Sequence, residues 1–308
     1  MVRTRLREPE SADQVTPATD EQILKRLEEA EQKDGALPKP LQFFRELVRA
    51  RSEVKMRISA PEVAASILEA GKRLDSGRPL LTFADLDIDW RQVRTLYRQV
   101  ADLLSKYADV FEKAPSVQNE PSLVDLVEAA RSWFEGNTPS SDSEINPVLL
   151  GVAIHPFLAA RREALAGYVN QEHWLRGYCP VCGGNPDFAY LQPDRGERWL
   201  VCSRCDMEWA FKRLECPCCG NQDEKALAFY TDDSGRYRLY VCENCRHYLK
   251  AVDLRKPPPH VIIPIERVLT ASVDVQARDD GYLPCAGCQR ELWSAEVALT
   301  PPDGNQSE

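Results

Sequence analysis

Four C-x-x-C pairs crowd between residues 179 and 245, as Cys179-Pro-Val-Cys182, Cys202-Ser-Arg-Cys205, Cys216-Pro-Cys-Cys219 and Cys242-Glu-Asn-Cys245. The second pair follows the first after nineteen residues, and the fourth follows the third after twenty-two. Superposed, CPVCGG…RWLVCSRC matches CPCCGN…RLYVCENC, which points to duplication of one hairpin-pair unit. Two thiolates separated by two residues grip one tetrahedral ion from a single tight turn, and a second knuckle about twenty residues later supplies the other two. The expected ligands are therefore Cys179, Cys182, Cys202 and Cys205 for one ion and Cys216, Cys219, Cys242 and Cys245 for another. Gly183 and Gly220, directly after the first knuckle of each unit, would supply the backbone angles such turns need. Four thiolates leave no open coordination position, so each site is structural or a one-electron redox centre. Zinc and iron both accept that geometry.

Nine of the eleven cysteines lie in this stretch and none precedes Cys179. Cys218, inside a knuckle, is expected to be a spare thiol. Cys285 and Cys288 form a fifth pair with no partner pair, expected to be free or oxidisable on a mobile tail. Alternatively, two tails share an ion and make a homodimer. No apolar segment follows the N-terminal arginines and no apolar run suffices to cross a bilayer, so a cytoplasmic address without membrane insertion is expected.

The net charge is −9, and residues 176–250 carry 11 Lys/Arg against 11 Asp/Glu. A ribbon that holds a phosphate backbone needs a positive excess, so nucleic acid is not an expected partner. No nucleophile triad, phosphate-cradling glycine loop or H-E-x-x-H appears, and no enzyme is expected. Of the histidines, His155 and His173 are expected at helix surfaces or in packing, and His247 and His260 as solvated residues. His247 is close enough to Cys245 to steady a ligand instead. Asp85, Asp87 and Asp89 suit the positive end of a helix, whereas Asp109 is expected simply to be exposed.

Residues 1–20 are expected to form a disordered tail and residues 21–174 an all-α domain. Helical spacing is seen in Ile23, Leu24 and Leu27; in Leu41, Phe44, Leu47 and Val48; and in Val63, Ile67 and Leu68 behind Pro61. It continues in Val93, Leu96, Val100 and Leu103; in Leu123, Leu126, Val127 and Ala130; and in a mostly buried run from Pro147 to Tyr168. Two small β-hairpin modules follow, at 175–213 and 214–256, with strand-like runs at Arg198–Val201 and Arg236–Val241. Prolines 257–259 form a spacer, and residues 257–308 hold one amphipathic helix, Ile265–Gln276, and a tail.

At these residues the sequence resembles the formate dehydrogenase accessory protein family, FdhE. The resemblance rests on the helix VAIHPFLAARREAL and on Trp174, Gly177, Cys179 to Gly183 and Pro186. It continues through Arg198, Leu200, Cys202, Cys205, Glu208 and Trp209, and closes on Cys242, Cys245, Tyr248, Leu249 and Lys250. It covers residues 147–285 well and the N-terminal helices in general character. It implies two rubredoxin-like modules, each with one iron ion, two in total, with zinc able to replace iron. It also implies a cytoplasmic factor that binds the catalytic subunit of a formate dehydrogenase and is needed for its activity. Cys218 and the Cys285/Cys288 pair depart from the family pattern. The competing expectations are a zinc-ribbon adaptor for nucleic acid or a transcription partner, and a thiol oxidoreductase.

Overall fold

A computed structural model describes residues 17–59, 67–111, 120–137, 145–255 and 261–288. The expected tail up to residue 16, Pro61 and Val63, the burial of Ile67 and Leu68, prolines 257–259, His260 and everything after residue 288 lie outside this description.

The helices are α1 (Asp20–Asp34), α2 (Lys39–Lys55), α3 (Ile67–Asp75), α4 (Trp90–Lys106), α5 (Leu123–Phe134) and α6 (Pro147–Leu165). Local chemistry sets their ends. Thr19 and Gln22 form a capping box on α1, and Asp89 accepts from the Arg91 and Gln92 amides at the start of α4. Asn146 caps α6, whose first residue is Pro147, where a missing N–H costs nothing. Asp85 belongs to a capping box with Thr82 on a short 3-10 turn ahead of α4, and exposed Asp109 pairs with Lys39. The spacing of apolar residues matches the buried faces: Leu41, Phe44, Leu47 and Val48 on α2, and Val93, Leu96 and Val100 on α4. On α4, Leu104 rather than Leu103 completes the buried stripe.

Past residue 175 the chain forms β1 (Pro186–Leu191), β2 (Arg198–Cys202), β3 (Glu208–Phe211), β4 (Leu227–Thr231), β5 (Tyr237–Cys242) and β6 (His247–Asp253). Each trio is antiparallel, and the two trios join through a parallel pairing of β1 with β6, from Phe188↔Lys250 to Leu191↔Asp253. The order across the sheet is β3-β2-β1-β6-β5-β4, with a short β7 (Leu283–Pro284) on β6. The first strand of one unit thus meets the third strand of the other. A two-fold relation would set like strands side by side; here the duplicated units follow one another in the same sense.

Two short helices, α7 (Ile263–Leu269) and α8 (Ala271–Asp279), replace the single C-terminal helix expected from the sequence. The break falls at Thr270, whose hydroxyl donates to the Glu266 and Arg267 carbonyls, while Lys250 Nζ lies 3.3 Å from the Arg267 and Thr270 carbonyls. With α7's last carbonyls satisfied from outside, the chain is free to turn.

One apolar core runs without interruption from the helices into the first cysteine unit. It joins Leu96, Leu126, Leu149 and Leu158 to Cys179, Cys205 and Trp209. A separate cluster packs Ile265 of α7 against Ile23, Leu27 and Phe44, returning the C-terminal helices to the start of the chain.

Candidate metal centres

The structure groups the knuckle cysteines by unit: Cys179, Cys182, Cys202 and Cys205 in one cluster, and Cys216, Cys219, Cys242 and Cys245 in another. The sulfur pairs Cys179–Cys205, Cys182–Cys202 and Cys182–Cys205 lie 3.5–3.6 Å apart. In the second cluster, Cys216–Cys245 and Cys219–Cys242 lie 3.7 Å apart. A tetrahedron with metal–sulfur bonds of about 2.3 Å has edges of about 3.8 Å, so both clusters have the size of one ion's coordination shell. Burial pushes the Cys179 and Cys205 thiols well above their ordinary range, and four buried sulfurs at this spacing could hold one metal ion.

All four knuckles share one backbone device. The residue after the second cysteine is left-handed in each: Gly183 at φ 73°, Asp206 at 57°, Gly220 at 72° and Arg246 at 56°. Its amide returns to the carbonyl of the first cysteine, from Gly183 to Cys179 at 3.0 Å and from Gly220 to Cys216 at 2.9 Å, with Asp206 and Arg246 doing the same. Other turn amides point at sulfur, as Cys182 N does to Cys179 Sγ at 3.5 Å and Arg204 N to Cys202 Sγ at 3.3 Å. The two glycines were legible in the sequence; the two strained non-glycine residues were not. Each costs about 1 kcal/mol or more, and each uses its side chain to fasten a helix. Asp206 receives His155 of α6 at 2.7 Å and Arg267 of α7 at 2.5 Å. Arg246 donates to the Asp280 carbonyl at the end of α8 and lies over the Tyr282 ring.

The units differ in how deeply they sit. Cys179, Cys182, Cys202 and Cys205 are 3% exposed or less, whereas Cys219 is exposed and Cys245 half-buried. A strap from the helical region covers the first unit: Leu80 and Leu81 amides donate to the Pro180 and Val181 carbonyls at 2.9 and 2.8 Å. Tyr178 donates its hydroxyl to the Gly77 carbonyl. Arg204, between Cys202 and Cys205, donates to the last carbonyls of α5 at Trp133 and Phe134 and stacks on Trp133.

The other residues of the sequence motif brace these sites. Trp174 and Trp209 are buried and donate their indole N–H groups to the Tyr178 and Arg176 carbonyls, both at 2.8 Å. Tyr248 and Lys250 both reach Asp274 of α8, at 2.8 and 2.6 Å. His173 is exposed, as a surface residue should be. His155 is buried against Asp206. Burial would raise the Asp206 carboxyl, but His155 and Arg267 outweigh it and hold it well below the usual range. His247 is no solvated turn residue: its Nδ1 lies 2.8 Å from the carbonyl of Cys245 and steadies that knuckle.

Cys218 and Cys288 correct the sequence reading. Cys218 is not a spare thiol but is disulfide-bonded to Cys288, and Cys285 is buried at 2% exposure. The fifth pair therefore packs against the second unit of its own chain.

Glu208 lies at the junction of the helices and the sheet, and burial pushes its carboxyl up to about 7 against the lowering pull of Tyr190, whose hydroxyl donates to it at 2.8 Å, and of Arg162. Folding thus favours its protonated form. That contribution is complete below the unfolded value near 4.5 and is lost as pH rises from there through 7. Glu208→Gln should flatten the fall in melting temperature over this interval and leave the variant more stable than the parent in mildly alkaline buffer. Parallel melting curves across the interval would show the carboxyl to be ionised throughout.

The family model described as FdhE, central domain, matches residues 178–213, the whole of the first cysteine unit. An FdhE homolog of Aquifex aeolicus is 32% identical over 117 residues, which is 36% of this chain and 41% of that protein; the chain thus spans less than half of this relative's length. An FdhE homolog of Shewanella oneidensis is 24% identical over 79% of this chain and 80% of its own, and FdhE of Escherichia coli is 24% identical over 72% and 71%. The crystal structure of FdhE from Pseudomonas aeruginosa shares the fold, with a TM-score of 0.61 at 20% identity over 89% of this chain and 98% of that one. The helical region, the duplicated cysteine sheet and these relatives agree with the resemblance carried by the knuckles, and the chain is similar to FdhE proteins over most of its length.

Proposed function

We propose that the chain is a non-catalytic accessory factor that binds the catalytic subunit of a formate dehydrogenase in the cytoplasm and is needed for that enzyme's assembly or activity. The observation that carries this reading is a pair of closed four-sulfur clusters on one sheet, in a chain similar to FdhE proteins over most of its length. Cys179, Cys182, Cys202 and Cys205 hold one iron ion and Cys216, Cys219, Cys242 and Cys245 a second; zinc satisfies the same donors. A closed shell offers a substrate no coordination position, so the ions order the docking surface or pass single electrons. The net charge of −9 and the absence, among the described residues, of a helix long and apolar enough to cross a membrane accord with a protein client.

The test is an affinity capture from native extract under anaerobic conditions, with bound proteins identified by mass spectrometry. Enrichment of a formate dehydrogenase catalytic subunit is the expected result. Capture of nucleic acid or transcription machinery in its place would transfer the chain to the adaptor class.

A further inference from the structure

Neither four-sulfur cluster accounts for Cys218 and Cys288. The structure adds a third donor to them: the ligand atoms of Cys218, His247 and Cys288 all lie within 4.8 Å of one another. His247 is already oriented. A neutral imidazole whose Nδ1–H donates to the Cys245 carbonyl keeps the lone pair of Nε2 for a metal, the usual way a protein fixes a histidine ligand. The segment that brings Cys288 is also held in place, since Asn185 Nδ2 donates to the Cys288 carbonyl at 2.7 Å and to the Ala286 carbonyl at 3.4 Å. A cavity of 40 Å³ beside the cluster is lined by Cys218, His247 and Cys285 among others, which is room for water.

We propose that Cys218, His247 and Cys288 form a third metal site, for zinc or a similar thiophilic divalent ion, which opens when the Cys218–Cys288 disulfide is reduced. A dithiol reductant delivers two electrons and two protons to the disulfide and leaves as its own cyclic disulfide. The ion then replaces the two thiol protons, which pass to solvent. Disulfide and ion need the same two sulfurs and exclude each other, so the redox state of this pair decides whether the site exists. Two thiolates and one imidazole supply three donors, and the fourth tetrahedral position is left to water. With fewer sulfurs than the knuckle clusters, the third site binds more weakly and exchanges first. In either state the C-terminal segment is tied to the second unit, by a covalent bond or by an ion.

The proposal does not depend on any client protein. Full-length protein is reduced anaerobically with a dithiol, freed of reductant, supplied with zinc and desalted, and the zinc per chain is measured. The reading is a difference: the parent should hold one ion more than Cys218→Ser or Cys288→Ser, whatever number the eight knuckle cysteines contribute. His247→Ala should weaken the extra ion's retention against a chelator by at least about tenfold, read as the difference from His247→Ala combined with Cys288→Ser so that any loosening of the Cys245 knuckle cancels. Cys288→Ser leaves every knuckle cysteine intact, so an unchanged circular dichroism spectrum separates ligand loss from misfolding. Equal zinc content in reduced parent and Cys288→Ser protein overturns the site, as does a disulfide that survives the dithiol.

Discussion

A chelator added to the metal-loaded protein is expected to remove the ion at Cys216, Cys219, Cys242 and Cys245 roughly a hundredfold faster than the ion at Cys179, Cys182, Cys202 and Cys205, since a cover whose opening costs about 3 kcal/mol slows exchange by that factor. Cys219 is open to solvent and Cys245 half-open, so a chelator can attack sulfur by sulfur. The first cluster offers no such entry. All four of its cysteines are buried in the same core as Leu96, Leu126 and Leu158, to which the second cluster contributes Cys216 and Cys242 but not Cys219. The strap at Leu80 and Leu81 is bonded across the knuckle of the first cluster. Reaching it means opening the helical region. The same asymmetry governs substitutions. Cys216→Ser should lose one ion and keep the helical melting transition, whereas Cys179→Ser should lose its ion and the cooperative melting of the helices together. Biphasic release followed by a chromogenic chelator, with circular dichroism recorded in parallel, measures both. A single release phase, or helices that melt equally in both variants, would show the two clusters to be energetically equivalent.

The sequence revealed these sites unevenly, for physical reasons. Knuckle cysteines and the glycines after them are local signals, because a turn that aims two thiolates at one point is built within five residues. Helical faces such as Leu41, Phe44, Leu47 and Val48 are local in the same way. The parallel pairing of β1 with β6 is not, since its register depends on two units meeting after each has formed. The Cys218–Cys288 contact spans 70 residues, and no spacing rule connects an extra cysteine in a knuckle to a pair near the end of the described chain. Asp206 and Arg246 fill positions where glycine would relieve strain, so a reading that expects glycine in turns passes over them. What marks them is the side chain they place on a neighbouring helix, and that appears only in three dimensions. The division of the C-terminal helix at Thr270 is of the same kind, because the groups that satisfy its carbonyls include a lysine from β6.

Arg267→Met is expected to destabilise the metal-loaded protein by about 3 kcal/mol, the lower end of the range for breaking a buried ion pair. Arg267 Nη1 donates to Asp206 Oδ1 at 2.5 Å, and Nη2 to Asp187 Oδ2 at 2.6 Å. Burial works against its charge, yet the two carboxylates raise its pKa. Removing the guanidinium leaves both carboxylates facing each other at the junction of α7 with the first cysteine unit. Burial already pushes the Asp187 carboxyl up, and losing the arginine removes the charge that opposes this. The Asp206 carboxylate would keep only His155 among its hydrogen-bond partners in the described residues. The side chain of Asp187 is 34% exposed and that of Asp206 22%, so water offsets part of the loss, which is why the lower end of the range applies. For a chain of 308 residues the change corresponds to a fall in melting temperature of roughly 5 °C. Because Met keeps most of the apolar stem, the loss reports charge and hydrogen bonding rather than packing. Adding Asp187→Asn to Arg267→Met should recover part of the loss, since the uncompensated carboxylate is then gone, and the recovery measures the coupling between the two. A melting temperature within about 2 °C of the parent for the single variant would mean that solvent alone suffices to hold both carboxylates. In that case α7 would owe its place to Ile265 and its apolar neighbours on α1 and α2, not to this pair of bridges.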